Sequence, residues 1–338
     1  MGNKRLILRL SSLGDVILAS AALEVFPSGE KVDWIVATEF AEVLYNHPKI
    51  GQLFVFDRKA GLRAWLRLCK KLWDADYHEV FDLHRTLRSR LMFFSFLFWS
   101  FKKRRAMPFW KTVSKERFRL YSYFFFKAGW PTSLRPSPWV RRFTQRVGGS
   151  GNERPNLKHL LQGGDLPPEL HSLLQKKQKY FCVMPSSRWK GKKWPVDSYF
   201  QTLSQLADVP VILGTDYDQE SKELVRKLEM SGVSHISGVG RWSLKQTALI
   251  LSHSAGYLGG DTGLAHLAEA VGVSASVIFG PSSSDMGFGP WKKESRSIEI
   301  PLVCRPCSKD GRFCYRLTKK YACLKNLSPQ IVIETLKC

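Results

Sequence analysis

Short β-forming apolar runs alternate with longer segments of helical period, and the pattern occurs twice along the chain. In the first half RLILRL leads into DVILASAALEVF, VDWIVAT into FAEVLYNH, QLFVFD into LRAWLRLCKKLW, and HEVFDLH into RSRLMFFSFLFW. Near-continuous apolar strands followed by amphipathic helices are the signature of βαβ units, whose parallel sheet is covered on both faces. The pattern restarts at Tyr180 with YFCVMP and runs through PVILG, QESKELVRKLE, SLKQTALILSHS, GYLGG, GLAHLAEAVG and SASVIFGP. The expected fold is therefore α/β, with two Rossmann-like doubly wound domains. A length of 338 residues suits two domains of ~100–200 residues each. Between the halves, GGSGNERPNLKHLLQGGDLPP (148–168) has the Gly, Pro and Asn content of an exposed linker, which sets the domains at 1–160 and 161–338. Ser328 as N-cap and Pro329 at the first helical position predict a closing C-terminal helix.

Charge narrows the partners. Lysine and arginine number 52 against 29 acids, a net +23, so an anionic partner is expected. The excess is local: residues 1–84 hold 11 basic and 11 acidic side chains, whereas 85–146 hold 16 basic ones, the single acid Glu116 and seventeen aromatics. Cations mixed with aromatic rings suit an anionic membrane interface, and equally a nucleic acid backbone with stacked bases; a core of aromatics under solubilising charges is the third reading. No zinc-finger, RNP or KH pattern is present, so nucleic acid is not expected. The longest apolar stretch, Leu91 to Phe101, has eleven residues, about half of the ~20 needed to span a bilayer. No export signal is apparent, since Arg5 and Arg9 flank only three apolar residues. With seven cysteines, of which Cys69, Cys182 and Cys338 stand far apart, a cytosolic chain with mostly free thiols is expected.

Three strand-to-helix turns carry chemistry. Ser11-Ser12-Leu13-Gly14-Asp15 follows the first strand, where ligands of doubly wound sheets gather. Asp15 reads either as a helix cap or as a reacting carboxylate. The loop has no G-x-G-x-x-G, so no dinucleotide fingerprint. Gly259-Gly260-Asp261-Thr262-Gly263-Leu264-Ala265-His266 again runs from strand to helix. Its glycines permit close approach, the N–H groups of Thr262 and Gly263 suit a phosphate, and Asp261 can accept sugar hydroxyls; a plain tight turn is the alternative. Pro185-Ser186-Ser187-Arg188, followed by Lys190, Lys192 and Lys193, has the composition of a phosphate clamp.

RLSSLGDV at the N-terminus, FDLHRTLRS at 81–89, KKWP at 192–195 and GGDTGLAHLAEAVG at 259–272 occur in the order and spacing of the ADP-heptose:lipopolysaccharide heptosyltransferases, glycosyltransferase family 9. The chain resembles this family over nearly its whole length. The resemblance implies a GT-B architecture, two Rossmann-like domains facing a central cleft, with the acceptor on the N-terminal domain and the nucleotide sugar on the C-terminal one. It implies an inverting, metal-independent displacement of ADP with no cofactor, Asp15 matching the general base. Ser186, Ser187 and Lys192 would match the diphosphate contacts, and Asp261, Thr262, Gly263 and His266 the donor site. Asp218 would match a residue near the ribose and Trp242 one near the adenine. The acceptor would be the anionic lipopolysaccharide inner core, contacted by Ser11, Ser12, Gly14, Arg58, Lys59, Arg63 and Arg88. The enzyme would then be cytoplasmic and peripheral on the inner face of the cytoplasmic membrane. Another nucleotide sugar is the nearer alternative, and a basic nucleic-acid-binding protein the one from a different class. The tail holds Cys304, Cys307, Cys314 and Cys323, for which a structural metal and free thiols are the two readings.

Overall fold

A computed structural model of the chain describes residues 4–337. They form two compact units, residues 1–115 with 139–160, and residues 116–138 with 161–338. The first unit contains a five-stranded parallel sheet: β1 (Arg5–Leu8), β2 (Val32–Ala37), β3 (Ile50–Phe56), β4 (Glu79–Asp82) and β5 (Phe109–Thr112), in the order β3-β2-β1-β4-β5. Its helices are amphipathic because their apolar residues recur at helical spacing. The helix Gly61–Asp74 buries Trp65, Cys69, Leu72 and Trp73, a stripe at i, i+4, i+7 and i+8. Together with Met92 and Phe96 of the helix Leu87–Lys103, these side chains cover Leu6, Leu8 and Ile35 on one face of the sheet.

The second unit has a six-stranded parallel sheet: β6 (Tyr180–Met184), β7 (Val209–Ile212), β8 (Ile236–Ser237), β9 (Tyr257–Gly260), β10 (Ala275–Ile278) and β11 (Arg296–Ile298), ordered β11-β10-β9-β6-β7-β8. The expected closing helix spans Pro329–Lys337 and packs Val332 into the core beside Trp194, Tyr199 and Leu324. Each sheet reverses direction once. The reversal lies between β1 and β4 in the first unit and between β9 and β6 in the second, and in open α/β sheets the crevice at that point is where ligands bind.

Two expectations about the middle of the chain change. Residues 116–138, read from sequence as part of the first domain, group with the second unit. There the Lys127 ammonium donates to the Pro306 carbonyl at 2.7 Å, and Arg135 pairs with Asp285. The segment 148–168 alternates exposed with buried or half-buried residues up to 161 and is continuously exposed only over 162–165. Leu157 and Leu160 are buried, and His159 packs edge-on against His47 at 4.7 Å. Its polar composition hides an anchor of two leucines.

Candidate functional site

At the β1/β4 crevice the chain turns from Leu8 through Arg9 into the helix Leu13–Ser20. Ser12 is its N-cap and Asp15 its N3 residue, so the Asp15 carboxylate accepts from the Ser12 amide at 3.2 Å and from the Ser12 hydroxyl at 3.0 Å. This is the reciprocal arrangement of a capping box. The cap does not exhaust the carboxylate. Arg9 Nη2 lies 2.7 Å from the same Asp15 oxygen, and its guanidinium is almost fully buried. Arg9 also donates to the Leu83 carbonyl after β4 and sits 5.2 Å above the Phe143 ring. One buried cation therefore ties together the two strands that flank the crevice.

The β4 side supplies Asp82, whose carboxylate receives the amides of His84 at 3.0 Å and Arg85 at 2.7 Å. Burial raises the pKa of this carboxyl above its ordinary value despite those bonds. His84 is pushed the other way, down to about 3, by burial and by the nearby Arg9 guanidinium, so its imidazole is neutral at physiological pH. Arg9 and His84 both stand inside motifs that signalled the site, RLSSLGDV and FDLHRTLRS, yet neither was singled out from sequence. Among the proposed acceptor residues, Ser11, Ser12 and Gly14 share the Asp15 turn. Arg58 pairs with Glu39 at 2.7 Å and accepts on its carbonyl from Arg88 at 3.0 Å, while Lys59 and Arg63 are exposed. All lie beyond the carboxyl ends of β1, β3 and β4.

In the second unit, Lys192 and Asp261 meet at the β9/β6 crevice. The Lys192 ammonium lies 2.6 Å from the Asp261 carboxylate and 3.2 Å from its carbonyl, with only 5% of the Asp261 side chain exposed. Glycine is required beside them: a Cβ on Gly260 would stand 2.4 Å from the Lys192 carbonyl, well inside contact distance. Thr262 caps the helix Gly263–Ala270 and shares a 3.2 Å contact with the Tyr257 hydroxyl, so Thr262 and Gly263 open a helix N-terminus at the pair. His266, on the buried side of that helix, stacks on Trp291 at 5.8 Å.

The remaining donor candidates divide. Ser187 is half-buried, but Ser186 is sealed in, its hydroxyl 3.1 Å from that of Ser221 and 3.3 Å from Glu220. Lys193 completes this knot on Glu220 at 2.5 Å. Burial opposes the charge on Glu220 most strongly, yet Lys193, a backbone amide and the Ser186 hydroxyl together hold the carboxyl below its usual range. Asp218 and Trp242 stand at the ends of the next strands outward. Asp218 accepts from the Thr215 amide at 2.6 Å and hydroxyl at 2.9 Å, and the Trp242 ring closes over Gly238. Cys304, Cys307, Cys314 and Cys323 are free thiols, as are Cys69 and Cys182, and Cys338 lies outside the described residues. Among the described residues no group of three His, Cys, Asp or Glu side chains is placed to hold a metal ion.

Residues 157–315, which contain the whole Lys192–Asp261 site, match the family model of glycosyltransferase family 9 (heptosyltransferase). Over that stretch the chain is similar to this family. It is a glycosyltransferase by that likeness, which extends over both units. It is 23% identical to lipopolysaccharide heptosyltransferase 1 of Pseudomonas aeruginosa, the match covering 98% of this chain and 96% of that protein. The fold is GT-B. A family 9 glycosyltransferase structure from Veillonella parvula superposes with a TM-score of 0.72 at 17% identity, covering 100% of this chain and 97% of that one. The E. coli heptosyltransferase WaaC, solved with ADP, superposes with a TM-score of 0.67 at 20% identity, covering 98% and 99%.

Proposed function

We propose that this glycosyltransferase moves a heptose from an ADP-heptose donor to the inner core of lipopolysaccharide, in one inverting step without a metal. The observation that carries the reading is the Lys192–Asp261 pair at the β9/β6 crevice, next to the N-terminus of the helix Gly263–Ala270. A cation beside free helix N–H groups is matched to a diphosphate. In this account Lys192 turns from Asp261 to the diphosphate when donor binds, Ser187 and the amides of Thr262 and Gly263 complete the phosphate contacts, and Asp261 takes up sugar hydroxyls. Asp218 and Trp242 lie toward the ribose and adenine. Ser186 and His266 belong to the same donor site, where Ser186 is held by Ser221 and His266 by Trp291 before donor binds.

Asp15 acts as the general base. It takes the proton of the acceptor hydroxyl, whose oxygen attacks the anomeric carbon while the bond to ADP breaks with inversion. Lys192 and the helix N-terminus stabilise the charge that develops on the leaving diphosphate, the role a divalent ion would otherwise have. Ser11, Ser12, Gly14, Arg58, Lys59, Arg63 and Arg88 line the acceptor side. That acceptor is lipid-linked and anionic, which places the enzyme in the cytoplasm, peripheral on the inner face of the cytoplasmic membrane. Support comes from the ADP in the E. coli relative and the lipopolysaccharide specificity of the P. aeruginosa one. Mass spectrometry of a Kdo–lipid A acceptor incubated with ADP-heptose tests it. A gain of one heptose is expected; a gain only with UDP- or GDP-sugars would replace the donor.

A further inference from the structure

The helix Leu87–Lys103 is apolar on both sides, and only one side is used by the fold. Ser89, Met92 and Phe96 are buried. On the opposite side, Leu87, Phe94, Phe98 and Phe101 fall at i, i+7, i+11 and i+14, one continuous stripe. These four are 72%, 60%, 61% and 89% exposed. Exposed single apolar residues are ordinary, but an aligned stripe of this kind is not. Exposed Arg90 and Lys102 flank it, and Lys103 and Arg104 follow at its end. No acidic side chain occurs between 85 and 115.

We infer that this helix is an interfacial anchor, lying flat on an anionic bilayer with Leu87, Phe94, Phe98 and Phe101 among the acyl chains. The inference deepens the proposed membrane association and rests on it. An amphipathic helix with rings on one side and cations at its margins takes this position, its apolar face sinking ~5–10 Å past the headgroups. Seventeen residues give a helix about 25 Å long, and among the described residues no helix is long and apolar enough to cross a membrane. The cations select the occupant, since a protein partner covering this face would have to neutralise them. The helix is also firmly seated. Beneath it Phe96 meets Trp73 at 5.5 Å and Trp110 at 5.7 Å, with Trp99 against Trp73 at 6.4 Å. Trp99 and Trp110 are thus partly buried in the packed base, and the phenylalanines form the contact.

Sedimentation of the full chain with vesicles of phosphatidylglycerol and phosphatidylethanolamine, at low salt and at about 0.5 M salt, where charge attraction is screened within a few ångströms, tests this. Wild-type protein should sediment at low salt and keep a substantial bound fraction at high salt. Phe98→Ser with Phe101→Ser should lose the salt-resistant fraction, raising the lipid needed for half-binding about tenfold or more, with an unchanged melting temperature because both rings are exposed. Equal binding of variant and wild type at high salt would overturn the inference. So would wild-type protein that ignores the vesicles while light scattering shows a dimer that the variant abolishes, since the stripe would then cover a second copy. The assay contains no sugar donor or acceptor, so a failure of the transfer reading would show in its own experiment and not in this one.

Discussion

Arg9 and Asp15 form a 2.7 Å ion pair in which the guanidinium is nearly sealed from solvent while the carboxylate keeps about a quarter of its surface open. The cation is held from below by the Leu83 carbonyl and the Phe143 ring, so it fixes the carboxylate without covering it. A carboxylate fixed by a buried cation and still partly open to solvent is what a proton acceptor at a strand end needs. Arg9→Gln should therefore lower kcat about tenfold or more with little change in donor KM, because a loosened base is felt mainly in the transition state. Steady-state kinetics separates the two parameters, and an equal rise in KM alone would make Arg9 a binding residue.

In the proposed function, donor affinity belongs to the other unit. Lys192→Ala and Asp261→Ala should each weaken ADP-sugar binding about tenfold, or ~1.4 kcal/mol. Lys192→Ala should in addition destabilise the fold, since it strands the buried Asp261 carboxylate, a loss of ~3 kcal/mol for a fully buried pair. Calorimetric titration with ADP-heptose and a denaturant melt read the two effects separately. Unchanged affinity in both variants would remove the diphosphate role.

His84 supplies a pH signature. Its imidazole is held neutral down to about 3 by burial and Arg9, whereas in the unfolded chain it takes a proton near its ordinary value of ~6.5. The unfolded state thus binds the extra proton between those limits, and stability is lost as pH falls through that window. His84→Gln should flatten this part of the curve. Thermal melts of both proteins from pH 7 to pH 4 check it, and parallel curves would show that His84 does not titrate differently on unfolding.

Much of this was legible in the sequence because it depends on local pattern. The alternation of strand and helix, the Asp15 turn, the glycines before Asp261 and the closing helix at Pro329 are all written in spacing. What was not legible depends on which faces meet. Arg9 looks like one surface cation among 52 basic residues; only the pairing of β1 with β4 buries it against Leu83. The rings of 91–101 are equally apolar in sequence, and packing against Trp73 decides that Trp99 turns in while Phe98 and Phe101 turn out. The contacts of Ser186 to Ser221 and Glu220, some 35 residues away, are likewise invisible in the local motif.

Chelation should leave the reaction untouched. If Lys192 and the helix N-terminus of Gly263–Ala270 carry the charge of the departing diphosphate, extensive dialysis against EDTA should change kcat by less than about twofold. A loss restored by added magnesium would assign that charge to a metal.

The most direct test of the account is Asp15→Asn, measured for transfer rate and for donor affinity in the same preparation. The capping contacts from Ser12 can survive in the amide, so the fold should be retained, while proton abstraction is lost. The account predicts that kcat falls ~10²–10⁴-fold with the ADP-sugar dissociation constant nearly unchanged. A variant that keeps kcat within a few-fold of wild type would show that Asp15 only caps its helix, and the proposed mechanism would be wrong.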